Sequence, residues 1–235
     1  MHKKPLSRDF VKILILRTIG NFLVLFSLFI IGKTFYKPVS KEIRYVVEKT
    51  LHKQYIVREK GKAPQKIPPS APQSILASIL NVAPVEELIP ADSEFSIVIP
   101  KIAANARIIP NVDASRKDVY LPALEQGVAH TYGTAFPGEG GHMFLFAHST
   151  DYFWNVSSYN AVFYLLSKLE PGDEINIFYK NQRFVYRTIG RRIVEPSQVE
   201  YVTRKTTKEF LTLQTCWPAG TTFKRLLVFA TRVVE

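Results

Sequence analysis

The sequence predicts a mainly β domain, a barrel or a sandwich, carried behind an apolar N-terminal helix. Three observations predict it. Between residues 93 and 235, short apolar runs recur, each bounded by glycine, proline or charged residues; short strands joined by turns leave this pattern. Only residues 118–127 and 159–169 in that span have helical spacing, and both stretches are short. One long apolar run, residues 13–32, stands apart near the N-terminus.

In chain order, residues 1–12 form a basic tail, with Lys3, Lys4, Arg8 and Lys12 against Asp9. Residues 13–32 are apolar apart from Arg17. A helix of that length spans about 30 Å, the hydrocarbon thickness of a bilayer, and a long arginine side chain near its end reaches the head groups. No small-x-small cleavage site follows Ile31, so an uncleaved transmembrane anchor is expected. The short N-terminus predicts a cytoplasmic tail and an exported C-terminal part. Charge alone does not decide the orientation, because Lys33, Lys37, Lys41 and Arg44 follow the span.

Residues 40–57 carry Ile43, Val46, Val47, Leu51 and Tyr55 at mixed spacing, the pattern of a juxtamembrane amphipathic helix. Residues 59–72, EKGKAPQKIPPSAP, read as a charged, proline-rich linker. Residues 74–80 suit one more short helix. The whole region 33–92 is thus a juxtamembrane helix and linker, with a candidate lid.

The folded domain is expected over residues 93–235. Residues 95–99 and 106–109 are candidate strands, and 118–127 a short helix ending at glycine. Residues 130–141, HTYGTAFPGEGG, read as a glycine-rich loop. Residues 142–148 read as an apolar strand between two histidines. Residues 159–169 have helical spacing, and 170–173 form a turn. Residues 175–179 and 184–188 form a hairpin, and 193–202 a strand or extended loop. Residues 210–233 close the domain as two antiparallel strands joined through WPAGTT.

A content of 46% apolar residues, with 27 Phe and Tyr, supplies a core. The net charge of +11 is uneven: 15 Lys/Arg against 7 Asp/Glu in residues 1–92, and 16 against 13 in residues 93–235. A nucleic-acid-binding domain carries its basic charge on the folded body. Here the N-terminal part carries it, which favours an anionic membrane or envelope surface. The single cysteine excludes an intramolecular disulfide and a multi-cysteine metal site.

Chemistry concentrates in FLTLQTCWPAGTTFKRLLVFATR, residues 210–232. Strand alternation turns Leu211, Leu213 and Thr215 one way, and Thr212, Gln214 and Cys216 the other. A thiol ends one strand and Arg225 opens the next, within reach across about 5 Å of strand spacing. A thiol at its ordinary pKa of about 8.5 is only a few per cent ionised at pH 7. A histidine neighbour is needed to move its proton and later protonate a leaving amine, and a cation is needed where an oxyanion develops. His148 ends an apolar strand and is the leading histidine. His142 begins that strand, about 20 Å away, so both cannot serve one site. His130 lies in the preceding loop.

The combination GVAHTYGTAFPGEGGHMFLFAHST, TLQTC and a WPAGTTFKR connection resembles the sortase family of membrane-anchored cysteine transpeptidases. Its signature, T-L-x-T-C followed about nine residues later by arginine, is matched by Thr212 to Cys216 and by Arg225. The resemblance covers residues 95–234. It implies a closed eight-stranded β-barrel with the site at one end, and a class D- or E-like or housekeeping-like member. It implies Cys216 as nucleophile toward the threonyl carbonyl of an LPxTG-like sorting signal, His148 as general acid and base, and Arg225 as oxyanion and substrate clamp. His130, Thr215 and Trp217 are supporting or groove-lining candidates. The implied partners are surface proteins carrying a C-terminal sorting signal, an amine acceptor on a cell-wall precursor or pilin, and the membrane. Neither a cofactor nor a metal is expected. The aspartate-proline-aromatic lid of the pilin-polymerising class has no counterpart in this sequence.

Two other readings stand beside this one. One is a hydrolase or isopeptidase of the same fold, giving the acyl group to water. The other is a non-catalytic, membrane-tethered envelope-binding domain in which Cys216 is buried and inert. Phe144 and Phe146 are expected in the core, Trp154, Tyr159 and Tyr164 as packing groups, and Arg191 and Arg192 on a solvated face.

Overall fold

A computed structural model describes residues 8–51, 53–58, 85–149 and 161–233. The proline-rich linker, the helical stretch at 74–80, Trp154 and Tyr159 lie outside the described residues, as do the first seven positions of the basic tail. The chain falls into two units, Met1–Arg44 and Tyr45–Glu235.

The long helix α1 runs Arg8–Thr50. Its Arg8–Lys33 part has a mean hydropathy of 2.2 and is long and apolar enough to cross a membrane. Phe22, Leu25 and Leu28 are each more than half exposed there. The helix does not extend to residue 57 as expected. It stops at Thr50, and β1, Gln54–Val57, pairs in parallel with β2, Val85–Leu88. The β-prone run Gln-Tyr-Ile-Val favours the strand. It is pinned there by Tyr55 donating to Glu48 Oε1 at 2.7 Å, by a contact of Lys53 with Glu86, and by Arg58 on Glu87 at 2.9 Å.

Eight strands form one closed barrel: β3 Phe95–Ile99, β4 Ala104–Val112, β5 Val128–Thr131, β6 His142–Phe146, β7 Glu174–Tyr179, β8 Gln182–Val194, β9 Phe210–Trp217 and β10 Lys224–Arg232. They close in the order β10-β8-β7-β3-β4-β5-β6-β9. The pairs β4/β5 and β6/β9 are parallel and the others antiparallel. Full closure leaves no unpaired edge. β7 and β8 turn through Lys180 and Asn181, both at positive φ, the geometry of a two-residue hairpin turn. β8 runs on to Val194, so the predicted break after residue 188 is absent. A short 3-10 turn, Val199–Tyr201, follows where a strand or extended loop was expected. A 3-10 turn over Leu166–Lys168 replaces the described part of the helix expected at 159–169.

Strand alternation builds two apolar layers. Ile97, Met143, Leu145, Leu211, Leu213, Leu226 and Val228 fill the barrel interior. Their sequence neighbours Phe144, Phe146 and Leu227 face outward, with Val194, and are buried with Ala123 and Leu124 of α2, Lys117–Gln126. Phe144 and Phe146 are thus core residues, of the outer layer. Helix α2 ends at Gly127, as predicted. A Cβ there would lie 2.4 Å from the Arg107 carbonyl oxygen, so only glycine lets the chain leave the helix against β4.

Candidate active site

The hairpin β9/β10 sets the first two groups. Its register pairs Cys216 directly with Arg225. Directly opposed residues in an antiparallel pair have Cα atoms about 4.5–5.5 Å apart and side chains on one face. Alternation decides which face. Leu211, Leu213, Leu226 and Val228 fill the interior, so Cys216 and Arg225, at the opposite parity, stand on the outer wall. Both are half-buried.

The parallel pair β6/β9 brings the third group. Its register runs from His142 opposite Phe210 to Phe146 opposite Gln214. Two further residues along β9, and two along the chain beyond β6, bring His148 level with Cys216. The chain is held in that course beyond the strand. Ala147 N–H donates to the Gln214 carbonyl at 3.1 Å, and Thr215 Oγ1 donates to the Ala147 carbonyl at 2.9 Å. On the far side Phe163 N–H donates to the His148 carbonyl at 3.3 Å. His148 shares the parity of Phe144 and Phe146, which face the outer layer. Sulfur and guanidinium therefore come from the adjacent strands β9 and β10 onto one outer surface, and the chain leaving β6 carries His148 to the level of Cys216. Cys216 lies one residue from the end of β9, and Arg225 one residue from the start of β10.

Burial pushes the Cys216 thiol above its ordinary pKa, and the Arg225 charge opposes that rise. Arg225 Nη1 donates to the carbonyls of Thr222 and Lys224 at 3.0 and 3.1 Å. Both partners are neutral, so they orient the guanidinium and leave its charge in place.

The supporting candidates face inward. His130 is not in a loop. It sits within β5, fully buried, because Val128 to Thr131 pair with both β4 and β6. Its ring packs at 4.4 Å from Phe136 and 5.7 Å from Phe95, on the interior side of the wall. Asn111 N–H donates to its Nδ1, and its Nε2 meets Thr134 Oγ1 at 3.0 Å. Burial holds its pKa below the usual value. Thr215 is buried, turned inward by the same alternation, and spends its hydroxyl on the Ala147 carbonyl rather than on a groove. Trp217 packs against the interior cluster, so the packing alternative describes it. His142 is buried at the far end of β6, its Nε2 2.8 Å from Thr212 Oγ1. Burial and Arg204 lower its pKa to about 4. Arg191 and Arg192 are exposed, as expected.

What the sequence reading missed is the floor of the surface beside these groups. Val194, opposite Arg225, and Leu227 are buried in the outer layer, and Arg192 donates to the Tyr201 hydroxyl at 2.8 Å. The parity of β10 contained Leu227. The length of β8 hid Val194.

The Sortase domain pattern matches residues 97–233 of this chain, more than half its length. The chain belongs to the sortase family. It is 30% identical over 138 residues to Sortase D of Bacillus subtilis (strain 168), across 57% of this chain and 61% of that relative. The match thus spans less than two thirds of the relative's length. Among solved structures, sortase C-1 from Actinomyces oris superposes with a TM-score of 0.51 at 29% identity, over 62% of this chain and 75% of that one. Clostridium perfringens sortase C, solved with the C-terminal cell wall sorting motif, does so with a TM-score of 0.50 at 26% identity, over 60% and 70%.

Proposed function

We propose that this sortase is a membrane-anchored cysteine transpeptidase acting on proteins that carry an LPxTG-like C-terminal sorting signal. The observation that carries the reading is the register of three neighbouring strands. Arg225 is the direct partner of Cys216, and the β6/β9 register, carried two residues past Phe146 and Gln214, takes His148 to the level of Cys216 on the other flank. In this reading Cys216 is the nucleophile, His148 the general acid and base, and Arg225 the oxyanion clamp. Residues 13–32 form the anchor, behind a cytoplasmic tail of residues 1–12. Residues 33–92 form the connection with a candidate lid, and residues 93–235 the extracytoplasmic catalytic barrel.

A thiol raised by burial needs a partner to take its proton. At neutral pH the resting sulfur is mostly protonated, so attack requires that the proton leave as the S–C bond forms. His148 accepts it. The threonyl carbonyl becomes a tetrahedral oxyanion facing the guanidinium. Collapse breaks the C–N bond, and His148 returns the proton to the departing amine. A thioester on Cys216 remains. An incoming amine then attacks that carbonyl, gives its proton to His148, and expels the thiolate, which is reprotonated. One amide bond is broken and one made, with no net redox change. The sorting motif bound by the Clostridium perfringens relative supports this substrate class. The match to a Sortase D supports a class D-like member.

The test is a panel of fluorogenic sorting-motif peptides given to the full chain with and without an amine acceptor. Cleavage that yields a ligated product, and is lost in Cys216→Ala, is the expected result. Cleavage to the free acid alone, with the amine present, identifies a hydrolase instead. Equal cleavage by Cys216→Ala rejects the nucleophile.

A further inference from the structure

Two residues before Cys216, on the same face of β9, stands Gln214. The pairings of β9 put it between Phe146 of β6 and Leu227 of β10. Both neighbours are apolar and closed off, Phe146 being 8% and Leu227 0% exposed. Tyr120 of α2 stands edge-on to Phe146, and Tyr201 and Val202 pack on the same outer layer. Gln214 itself is only half-buried. The outer layer is therefore open at Gln214 and shut on either flank. One step further along that face, Thr212 is fully buried and meets His142 Nε2 at 2.8 Å. The accessible line on β9 thus runs from Cys216 to Gln214, about 7 Å, and ends there. A primary amide fits its apolar neighbours poorly. It carries two N–H donors and a carbonyl acceptor, and among the described residues none of these makes a hydrogen bond. Partly desolvated and unpartnered, such a group costs stability. The main chain beneath it is fixed: the Gln214 carbonyl accepts from Ala147 N–H at 3.1 Å.

We infer that Gln214 binds the sorting peptide, its side-chain N–H donating to the main-chain carbonyl of the residue two before the threonine. The inference rests on the transpeptidase reading of Cys216. An extended chain advances about 3.3 Å per residue. A peptide whose threonyl carbonyl meets the thiol therefore places the residue two before it about 7 Å back, at Gln214. Access sets the direction. Past Cys216 the chain turns through Pro218, Ala219 and Gly220, all exposed, and an incoming amine needs that open side. The acyl fragment stays bound through both steps and takes the side floored by Gln214. A main-chain carbonyl lowered between the two apolar flanks loses water and regains a hydrogen bond from the amide. In an LPxTG-like motif that residue is the proline, which offers a carbonyl and no N–H, so the donor half of the amide is the half that serves.

The test is fluorescence anisotropy of a labelled LPATG peptide, and of its ester analogue, on the full chain carrying Cys216→Ala in neutral detergent. The ester replaces the peptide bond after the proline and makes that carbonyl a poorer acceptor. Gln214→Leu should weaken binding of the amide peptide about tenfold. The ester should bind severalfold more weakly than the amide peptide when Gln214 is present, and equally with it in Gln214→Leu. Gln214→Met keeps the length of the side chain without the donor, and it serves if the leucine variant fails a melting check. With Cys216 intact, the same substitutions should raise KM about tenfold and leave kcat within about twofold. Binding indifferent to both substitutions overturns the inference, and so does an ester penalty that persists in Gln214→Leu. Peptide binding that depends on Gln214, in a chain that does not cleave, breaks the transpeptidase reading and leaves the peptide contact standing. Cleavage with a KM indifferent to Gln214 does the reverse. A chain that binds neither peptide overturns both.

Discussion

Arg225→Ala separates two jobs that one guanidinium is proposed to do. In the resting enzyme the charge lowers the thiol pKa against the effect of burial. The direct register puts charge and sulfur about 6 Å apart, given opposed Cα atoms about 5 Å apart. Coulomb's law then gives about 0.7 kcal/mol at the permittivity of water and about 2.8 kcal/mol at an effective value of about 20. Both groups are half-buried, so the coupling lies between these limits. Removing the arginine leaves burial unopposed, raises the thiol pKa further and lowers the thiolate fraction at pH 7. The more basic thiolate is intrinsically a better nucleophile, which offsets part of that loss. Exchange of Cys216 with a dithiodipyridine at pH 7 should therefore slow only modestly, and the inflection of its pH–rate profile should move up. Peptide transfer should fall much further, by about 100-fold or more, because an oxyanion partner is lost as well. An unmoved inflection refutes the electrostatic coupling. Equal losses in exchange and transfer refute a role in the transition state.

Further outcomes follow from neighbouring groups. Thr215→Val deletes the hydroxyl bond to Ala147; stability falls by about 1 kcal/mol, and kcat falls with KM little changed because the course of the chain at His148 loosens. Thr215→Ser should restore both, and a serine variant as slow as valine contradicts this. Gly127→Ala forces a Cβ against the Arg107 carbonyl at 2.4 Å, for a loss of about 1–3 kcal/mol read as a lower Tm; an unchanged Tm contradicts the close approach. His142 has a folded-state pKa of about 4, below the unfolded value of about 6.5. Its stabilisation is therefore full above pH 6.5 and is lost as pH falls toward 4, by about 3 kcal/mol in total. His130, also lowered by burial, acts in the same direction. Urea melts across that range should show the fall, and His142→Gln should flatten it; an unaltered slope contradicts the assignment.

Much of the barrel was legible because its strands alternate so regularly. The parity of Leu211, Leu213 and Thr215 against Thr212, Gln214 and Cys216 told which residues share a face. The interior cluster shows that the first set faces inward. The pairing of Cys216 with Arg225 followed from one hairpin and a short connection. The level of His148 did not, because a parallel pairing between β6 and β9, 68 residues apart in register, leaves no local trace. His130 was misplaced for a related reason. Glycines at 133, 138, 140 and 141 made its surroundings read as loop, while non-local pairing to β4 and β6 makes it strand. The strand at Gln54–Val57 was hidden in the same way, since its partner lies at Val85–Leu88 and residue spacing cannot report a contact that distant.

The most direct measurement of the central claim is intact-mass and peptide-level mass spectrometry of the full chain quenched during turnover of a sorting-motif peptide. An acyl adduct is expected on the peptide containing Cys216, with the mass of the substrate fragment ending at its threonine. The adduct disappears as an added amine yields ligated product. It accumulates poorly in His148→Ala and is absent in Cys216→Ala. Turnover with no adduct on Cys216, or an adduct on another residue, contradicts the claim.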